Sequence, residues 1–149
     1  MRGDLLAFLD SNVLVYAVSR DEPEKQRTAR ALVERGFAEG CFAISTQVLL
    51  EVYVNITQKA KIRLPAQEAF EYVRAFSEWQ VVEMSQPLVF AALGLARHMQ
   101  ISTWDAAILE AAREAGCSLV LSEDLTSGRD YGGVRVENPF APTKGEPLR

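Results

Sequence analysis

The sequence predicts an α/β domain built on a parallel sheet, because short strand-like runs alternate along it with segments of helical periodicity. The chain has 149 residues and 48% of them are hydrophobic, which is enough to bury the core of one domain. It contains no repeat or low-complexity stretch. We therefore expect a single domain over residues 1–140 and a loose tail over residues 141–149.

Short runs of mainly apolar residues mark the strands, and helical segments fill the intervals between them. Strands are expected at Leu5–Leu9, Phe42–Ile44, Gln80–Val82, Leu119–Leu121 and, after a glycine-rich loop, Val134–Val136. Helices are expected within Ser11–Ser19, from Asp21 to about Phe37, from a cap at Ser45 or Thr46 through Glu51, from Pro65 onwards, from Leu88 to about His98, and from Ser102 or Thr103 to Gly116. Gly36 and Gly40 are expected to end the second helix.

The charge balance excludes some classes of function. The formal net charge is −4, from 16 Lys and Arg against 20 Asp and Glu, which does not support a general nucleic-acid coat protein. It is compatible with a metal-dependent nuclease that has local basic patches. No apolar run approaches the roughly 20 residues that span a membrane. Asp10 directly after the first strand also argues against a secretory signal, so we expect a cytoplasmic protein.

Four acidic residues are the candidate site, because each follows an apolar segment or lies early in the element after it. They are Asp10, Glu51, Asp105 and Asp124. The carboxyl ends of parallel strands meet at one edge of a sheet, where ligands bind. Two carboxylates about 6 Å apart there repel by roughly 3 kcal/mol at an effective dielectric constant of about 20. A divalent cation would remove this repulsion and supply metal-assisted phosphodiester cleavage, which is the leading hypothesis.

Two of these acids have a competing structural interpretation. Asp10 ends a strand at a strand-to-helix turn, where it could simply cap the following helix. Asn12 adds an oxygen two residues later, which favours a ligand-binding role. Asp105 lies in the sequence Ser-Thr-Trp-Asp from Ser102, which fits a capping box as well as a metal site.

The other two acids are also open to a second interpretation. Gln47, Glu51, Asn55 and Gln58 recur at near-helical spacing, so they form either a solvated stripe or the lining of a polar cleft.

Ser122, Glu123 and Asp124 compete for one role after the fourth strand. Alternation of side chains would place Ser122 and Asp124 on one face and Glu123 on the other. We therefore favour Asp124, with Ser122 as its hydrogen-bonding neighbour.

A basic segment follows the Glu51 helix and contains Lys59, Lys61 and Arg63. It is either an ordinary solvated loop or a segment that binds RNA phosphates.

The cysteines and the histidine are expected to be structural. Cys41 and Cys117 lie far apart without CxxC spacing, which favours buried reduced thiols over a disulfide or a soft-metal site. His98 lies near a helix end and is expected to be a surface or capping residue.

Four motifs occur in order along nearly the whole chain, to about Phe140: FLDSNVLVYA, STQVLLEVY, STWDAAILEAA, and LSEDL followed by GVRVENPF. As a set they resemble the PIN-domain ribonucleases, in particular the VapC-type toxins of toxin–antitoxin pairs. The resemblance implies a three-layer α/β/α sandwich with a central parallel sheet of four to five strands. It also implies RNA hydrolysis with Mg²⁺, or Mn²⁺ as the alternative, bound by the four acids, with Ser122 as a hydroxyl partner. Two residues before the last acid, this chain has Ser where Thr is commoner.

The resemblance also implies partners for the chain. VapC-type proteins form homodimers, and a small antitoxin protein whose tail occupies the acidic cleft neutralises them. The apolar helices Val48–Ile56 and Phe70–Phe76 could supply such surfaces, or could be ordinary core.

Two other functions compete with the ribonuclease interpretation. A PIN-like domain could bind RNA or a protein without cutting, although none of the four acids is lost. An aspartyl-phosphate phosphatase would need a second Asp at position 12 and a Lys among the later acids. The chain has Asn12 and no Lys between Asp105 and Asp124, which counts against this chemistry.

Overall fold

In the computed structural model, which describes residues 4–59 and 61–141, the described residues form a five-stranded sheet. The strands are β1 (Ala7–Leu9), β2 (Phe42–Ser45), β3 (Gln80–Val82), β4 (Leu119–Leu121) and β5 (Arg135–Glu137). All neighbouring pairs are parallel, in the order β3-β2-β1-β4-β5. β1 and β2 are buried along their whole length, as expected for the centre of a parallel sheet.

Helices connect the strands in sequence. They are α1 (Ser11–Tyr16), α2 (Pro23–Glu39), α3 (Thr46–Gln58), α4 (Ala66–Ala75), α5 (Gln86–Met99) and α6 (Thr103–Glu114), with a 3₁₀ turn at Phe76–Glu78. α1 contacts α2 and α3, α4 packs on α3, and α3 contacts β2. α5 packs on α6, which contacts β2 and β4. This arrangement confirms the predicted α/β/α sandwich.

The strand order reverses next to the central strand, between β1 and β4. From β1 the chain moves outward through β2 to β3, and then returns to the other side of β1 to form β4 and β5. Leu9 pairs with Leu121 in register, and the Asp10 N–H donates to the Leu121 carbonyl at 3.0 Å. The chain segments that leave β1 and β4 therefore start side by side at the topological switch point, where open α/β sheets bind their ligands.

Gly36 does not end the second helix, contrary to the prediction. α2 continues to Glu39 and ends at Gly40, whose φ of 63° is the left-handed conformation that glycine adopts easily. Gly36 is instead a packing position. A Cβ atom there would lie 2.3 Å from Cζ2 of Trp79, so only glycine lets this ring approach the helix backbone.

The remaining predicted elements occur, with bounds shifted by a few residues. β1 starts at Ala7 rather than Leu5, and β5 lies one residue later than predicted. The predicted C-terminal tail falls outside the described residues, apart from Ala141.

The predictions for cysteine and histidine are confirmed. Cys41 and Cys117 are free and buried, and burial raises the pKa of the Cys117 thiol to about 11. His98 is exposed in the last turn of α5. Across the described residues, none of the helices combines the length and apolar character needed to cross a membrane.

Two glycine-to-alanine substitutions should have opposite effects on stability. Gly36→Ala should lower the free energy of unfolding by about 1–3 kcal/mol, because overpacking against Trp79 outweighs the gain in helix propensity. Gly94→Ala in α5 is the matched control, since a Cβ there meets nothing within 4 Å and should stabilise by about 1 kcal/mol. Urea denaturation of both variants measures the difference, and equal stabilisation would contradict the packing role of Gly36.

Candidate active site

The Asp10 carboxylate caps the helix that follows it and also bonds to the neighbouring chain segment. Its Oδ1 accepts a hydrogen bond from the Ser11 N–H at 2.7 Å and thereby caps α1. Its Oδ2 accepts from the Ser122 hydroxyl at 2.8 Å. The Asp10 residue is only 6% exposed and Ser122 is fully buried, so this pair joins the ends of β1 and β4 away from water.

Asn12 connects Asp10 to Asp124 through its side-chain amide. Its Nδ2 lies 3.1 Å from Oδ2 of Asp124, 3.3 Å from Oγ of Ser122 and 3.4 Å from Oδ2 of Asp10. The Glu123 N–H donates to Oδ1 of Asn12 at 3.2 Å, which fixes the orientation of the amide. Asn12 thus presents its nitrogen to the carboxylates, and not the oxygen expected from the sequence.

The electrostatic state of Asp10 shows that other acids are near it. Burial raises the pKa of Asp10 from its ordinary 3.8 to about 6, and the Glu51 and Asp124 carboxylates contribute to this rise by repulsion. Hydrogen bonds from Ser122 and Ser11 act in the opposite direction. The structure therefore places Glu51 and Asp124 within electrostatic reach of Asp10.

Glu51 is half-buried and is held mainly by Gln47. Nε2 of Gln47 donates to Oε2 of Glu51 and to the Trp104 carbonyl, both at 3.2 Å. Asn55 donates to the Glu51 carbonyl at 2.8 Å. The polar stripe on α3 is thus not uniform, because Gln47 is buried, Asn55 lines a cleft and Gln58 is exposed.

Asp105 is half-buried at the start of α6. Its N–H donates to Oγ of Ser102 at 3.0 Å, which is one half of the predicted capping box. Within residues 4–59 and 61–141, the Ser102 N–H donates no hydrogen bond to the Asp105 carboxylate, so this carboxylate is not used for capping. Gln47 links Asp105 to Glu51 indirectly, through its bond to the Trp104 carbonyl.

The donor atoms of this site suit a metal ion, but the distances between its side chains do not. The acids offer carboxylate oxygens and Ser122 a hydroxyl, the donors that Mg²⁺ and Mn²⁺ prefer. Among the described residues, however, no three His, Cys, Asp or Glu side chains lie close enough together to hold an ion. The Asn12 amide instead lies between Asp10 and Asp124, where its partial positive charge reduces their repulsion.

A cleft of about 680 Å³ opens beside Asp124. α1 and the end of α3 form its walls, and Lys59 and Lys61 line it together with Asn12 and Asn55. The structure therefore brings two of the three predicted basic residues to a cleft that Asp124 also lines. Arg63, the third, does not line this cleft.

Comparison with known proteins identifies the family of this chain. The sequence pattern of the PIN domain matches residues 7–126, which include all four acids. The chain belongs to the PIN-domain family. Over 142 aligned residues this PIN domain is 28% identical to ribonuclease VapC24 of Mycobacterium tuberculosis, with 89% of this chain and 95% of that protein covered.

Solved structures of similar fold support the architecture of this PIN domain. VapBC2 from Rickettsia felis, bound to a promoter DNA fragment, matches with a TM-score of 0.61 at 17% identity and covers 90% of this chain and 98% of that one. VapC20 of Mycobacterium tuberculosis, a toxin that cleaves the sarcin–ricin loop, matches with a TM-score of 0.60 at 18% identity. The match covers 79% of this chain and 89% of that one.

A second polar network in this PIN domain has no counterpart among the sequence predictions. Oε1 of Glu123 accepts from the Tyr16 hydroxyl at 2.6 Å, and Oε2 pairs with Nζ of Lys25 at 2.7 Å. Burial alone would raise the pKa of Glu123, but the bonds from Lys25 and Tyr16 outweigh it and lower the pKa. Glu123 thus points away from Ser122 and Asp124, as strand alternation predicts. No sequence spacing signals the contact with Lys25.

The raised pKa of Asp10 should make the metal-free protein less stable as pH rises. A folded-state pKa of about 6 against 3.8 means that this loss begins near pH 4, is complete above about pH 7 and amounts to roughly 3 kcal/mol. Asp10→Asn cannot ionise, so its free energy of unfolding relative to wild type should increase by this amount between pH 4 and pH 8.

Urea denaturation in EDTA across this pH range measures the difference. Asp4→Asn is the control, because it removes an exposed carboxylate ahead of the same strand. A difference between Asp10→Asn and wild type that does not change with pH would show that Asp10 is not held in the unfavourable environment described.

Proposed function

We propose that this PIN domain is a metal-dependent endoribonuclease that hydrolyses RNA phosphodiester bonds, and that it is the toxin of a toxin–antitoxin pair. The main support is the buried Asp10 carboxylate at the switch point, repelled by Glu51 and Asp124. A site of this kind gains stability by binding a divalent cation. The similarity to a protein named as a ribonuclease adds independent support.

Mg²⁺, or Mn²⁺ as the alternative, would be held by Asp10, Glu51, Asp105 and Asp124, some of them through water. A bound ion would polarise the scissile phosphate and lower the pKa of a water molecule. Ser122 and Ser11 orient Asp10 through the two hydrogen bonds to its carboxylate.

The other residues of the site carry out supporting steps. Glu51 is only half-buried, so its carboxylate can accept a proton from the attacking water and release it to solvent. Asn12, which bridges Asp10 and Asp124, keeps the two acids near each other before the cation arrives.

The cleft beside Asp124 is the proposed RNA-binding surface. Lys59 and Lys61 line it and would contact phosphates, which position the substrate without reading its sequence. Lys61 also pairs with the exposed Asp21 at 3.2 Å, a weak contact that a phosphate can replace.

The proposed partners are an antitoxin protein and a second copy of the chain. A groove of about 480 Å³ between α3 and α4 is almost entirely apolar, and its lining includes Leu49, Leu50, Tyr53, Phe70 and Val73. Leu50 is 67% and Phe70 51% exposed, which is unfavourable unless a partner covers them. The solved neighbours from Rickettsia felis and Salmonella typhimurium are VapBC structures bound to DNA.

Each partner can be tested separately. The antitoxin proposal requires a small protein encoded beside this chain, and coexpression of the two should give a stoichiometric complex that no longer cuts RNA. Failure of the two chains to copurify would refute the pairing. Sedimentation equilibrium of the purified chain tests the homodimer, and a monomer at all concentrations would refute it.

A non-catalytic RNA- or protein-binding domain is the second candidate. It is favoured by one observation, that within the described residues the acids form no ready metal-binding group. Cleavage of RNA that EDTA stops would exclude it. Binding of RNA without cleavage in both Mg²⁺ and Mn²⁺ would establish it.

Asp10→Asn should abolish RNA cleavage while the fold remains intact, because an amide cannot replace the anionic ligand. Cleavage of a labelled RNA mixture in Mg²⁺ and in Mn²⁺, with circular dichroism of the same samples, measures both properties. Asp4→Asn removes an exposed carboxylate ahead of the same strand and should retain full activity. Full activity of Asp10→Asn would refute the assignment of Asp10 as a metal ligand.

Lys59→Met and Lys61→Met should weaken RNA binding and leave the chemical step largely intact. The expected result is a raised KM with kcat nearly unchanged. The salt dependence of log K should become about 0.7 shallower for each phosphate that the protein no longer binds. Arg27→Met, an equal loss of charge at an exposed position on α2, is the control. Equal changes in all three variants would indicate a general effect of net charge and not binding in the cleft.

A further inference from the structure

Gln47 is a buried polar residue between two parts of the acidic site. It lies in the first turn of α3 and is 7% exposed. Its Nε2 donates to the Glu51 carboxylate on the same helix and to the Trp104 carbonyl at the start of α6, each at 3.2 Å. Trp104 directly precedes Asp105, so one amide group joins the segments that carry two of the four acids.

The orientation of this amide is fixed by its neighbours. Both atoms near Nε2 can only accept hydrogen bonds, so the nitrogen must face them. Oε1 is then buried, and within the described residues it has no hydrogen-bond partner. A buried acceptor without a donor is unfavourable, and an apolar side chain of similar size would avoid this cost.

A residue that is unfavourable for stability at its position is a candidate for a functional role. Without Gln47, the Glu51 side chain would be free to adopt several rotamers, since its carboxylate is only half-buried. The ligands of a metal site are usually oriented by such outer hydrogen bonds, and their removal weakens metal binding.

We propose that Gln47 is a positioning residue that fixes the Glu51 carboxylate and ties it to the start of α6 beside Asp105. The inference rests on the proposed metal-dependent function and extends it by a residue outside the acidic set. Because Gln47 does not line the RNA cleft, it acts on the metal and not on the substrate.

The substitution Gln47→Met tests this role, because it keeps the size of the side chain and removes both donors. We expect the Kd for Mn²⁺, measured from free Mn²⁺ by electron paramagnetic resonance, to rise about 10- to 100-fold. The kcat for RNA should fall at low Mn²⁺ and recover at saturating Mn²⁺, while KM for RNA stays unchanged. The Tm of the metal-free variant should be unchanged or raised, because the unpaired buried oxygen is gone. Gln58→Met, at an exposed position of the same helix, should match wild type in every measurement.

Each outcome separates this inference from the function on which it rests. If wild type binds Mn²⁺ and cuts RNA while Gln47→Met has the same Kd, the inference is overturned and the ribonuclease proposal stands. A weakened Kd together with a lowered Tm would also overturn it, since Gln47 would then be structural. If wild type binds Mn²⁺ without cutting RNA, the ribonuclease proposal fails and the Kd of the variant still decides the role of Gln47. If wild type binds no Mn²⁺, both fail.

Discussion

The carboxylate of Asp10 ends the central strand almost completely out of water, and the charges of Glu51 and Asp124 lie near enough to repel it. Burial is the main cause of the raised pKa of Asp10, and this repulsion adds to it. The Ser122 hydroxyl and the Ser11 N–H stabilise the anion, and the Asn12 amide lies between Asp10 and Asp124. These neutral donors oppose the effect of burial and of the nearby charges without cancelling it, and the pKa of Asp10 remains above its ordinary value.

The segment after β4 contributes to the site from both of its faces. Ser122 and Asp124 face the acidic edge, whereas the Glu123 side chain turns to Tyr16 and Lys25 on the neighbouring helices. The Glu123 N–H meanwhile orients the Asn12 amide. The outer ion pair therefore holds the same short segment whose other face carries the candidate ligands.

Local patterns in the sequence identify most of the fold and the central part of the site. An apolar strand that ends in Asp10, and a second that runs into Ser122 and Asp124, require only strand periodicity and the rule for parallel sheets. The prediction for Gly36 is wrong because its role depends on Trp79, which lies far along the chain and leaves no local signal. The same limit applies to the contact of Gln47 with Trp104 and to that of Lys25 with Glu123, which arise from packing between distant segments. The bond from Gln47 to Glu51, by contrast, joins neighbours on one helix. The orientation of the Asn12 amide also depends on a distant group, the Glu123 N–H.

The order of the strands has a consequence for folding during synthesis on the ribosome. β1 is the first of the five strands to be made, but the neighbour that brings Ser122 and Asp124 beside Asp10 is β4, which is synthesised after three other strands and all six helices of the described residues. Pairings between residues so far apart in the chain form slowly. The two parts of the acidic edge are therefore separate in a nascent chain until β4 has been synthesised.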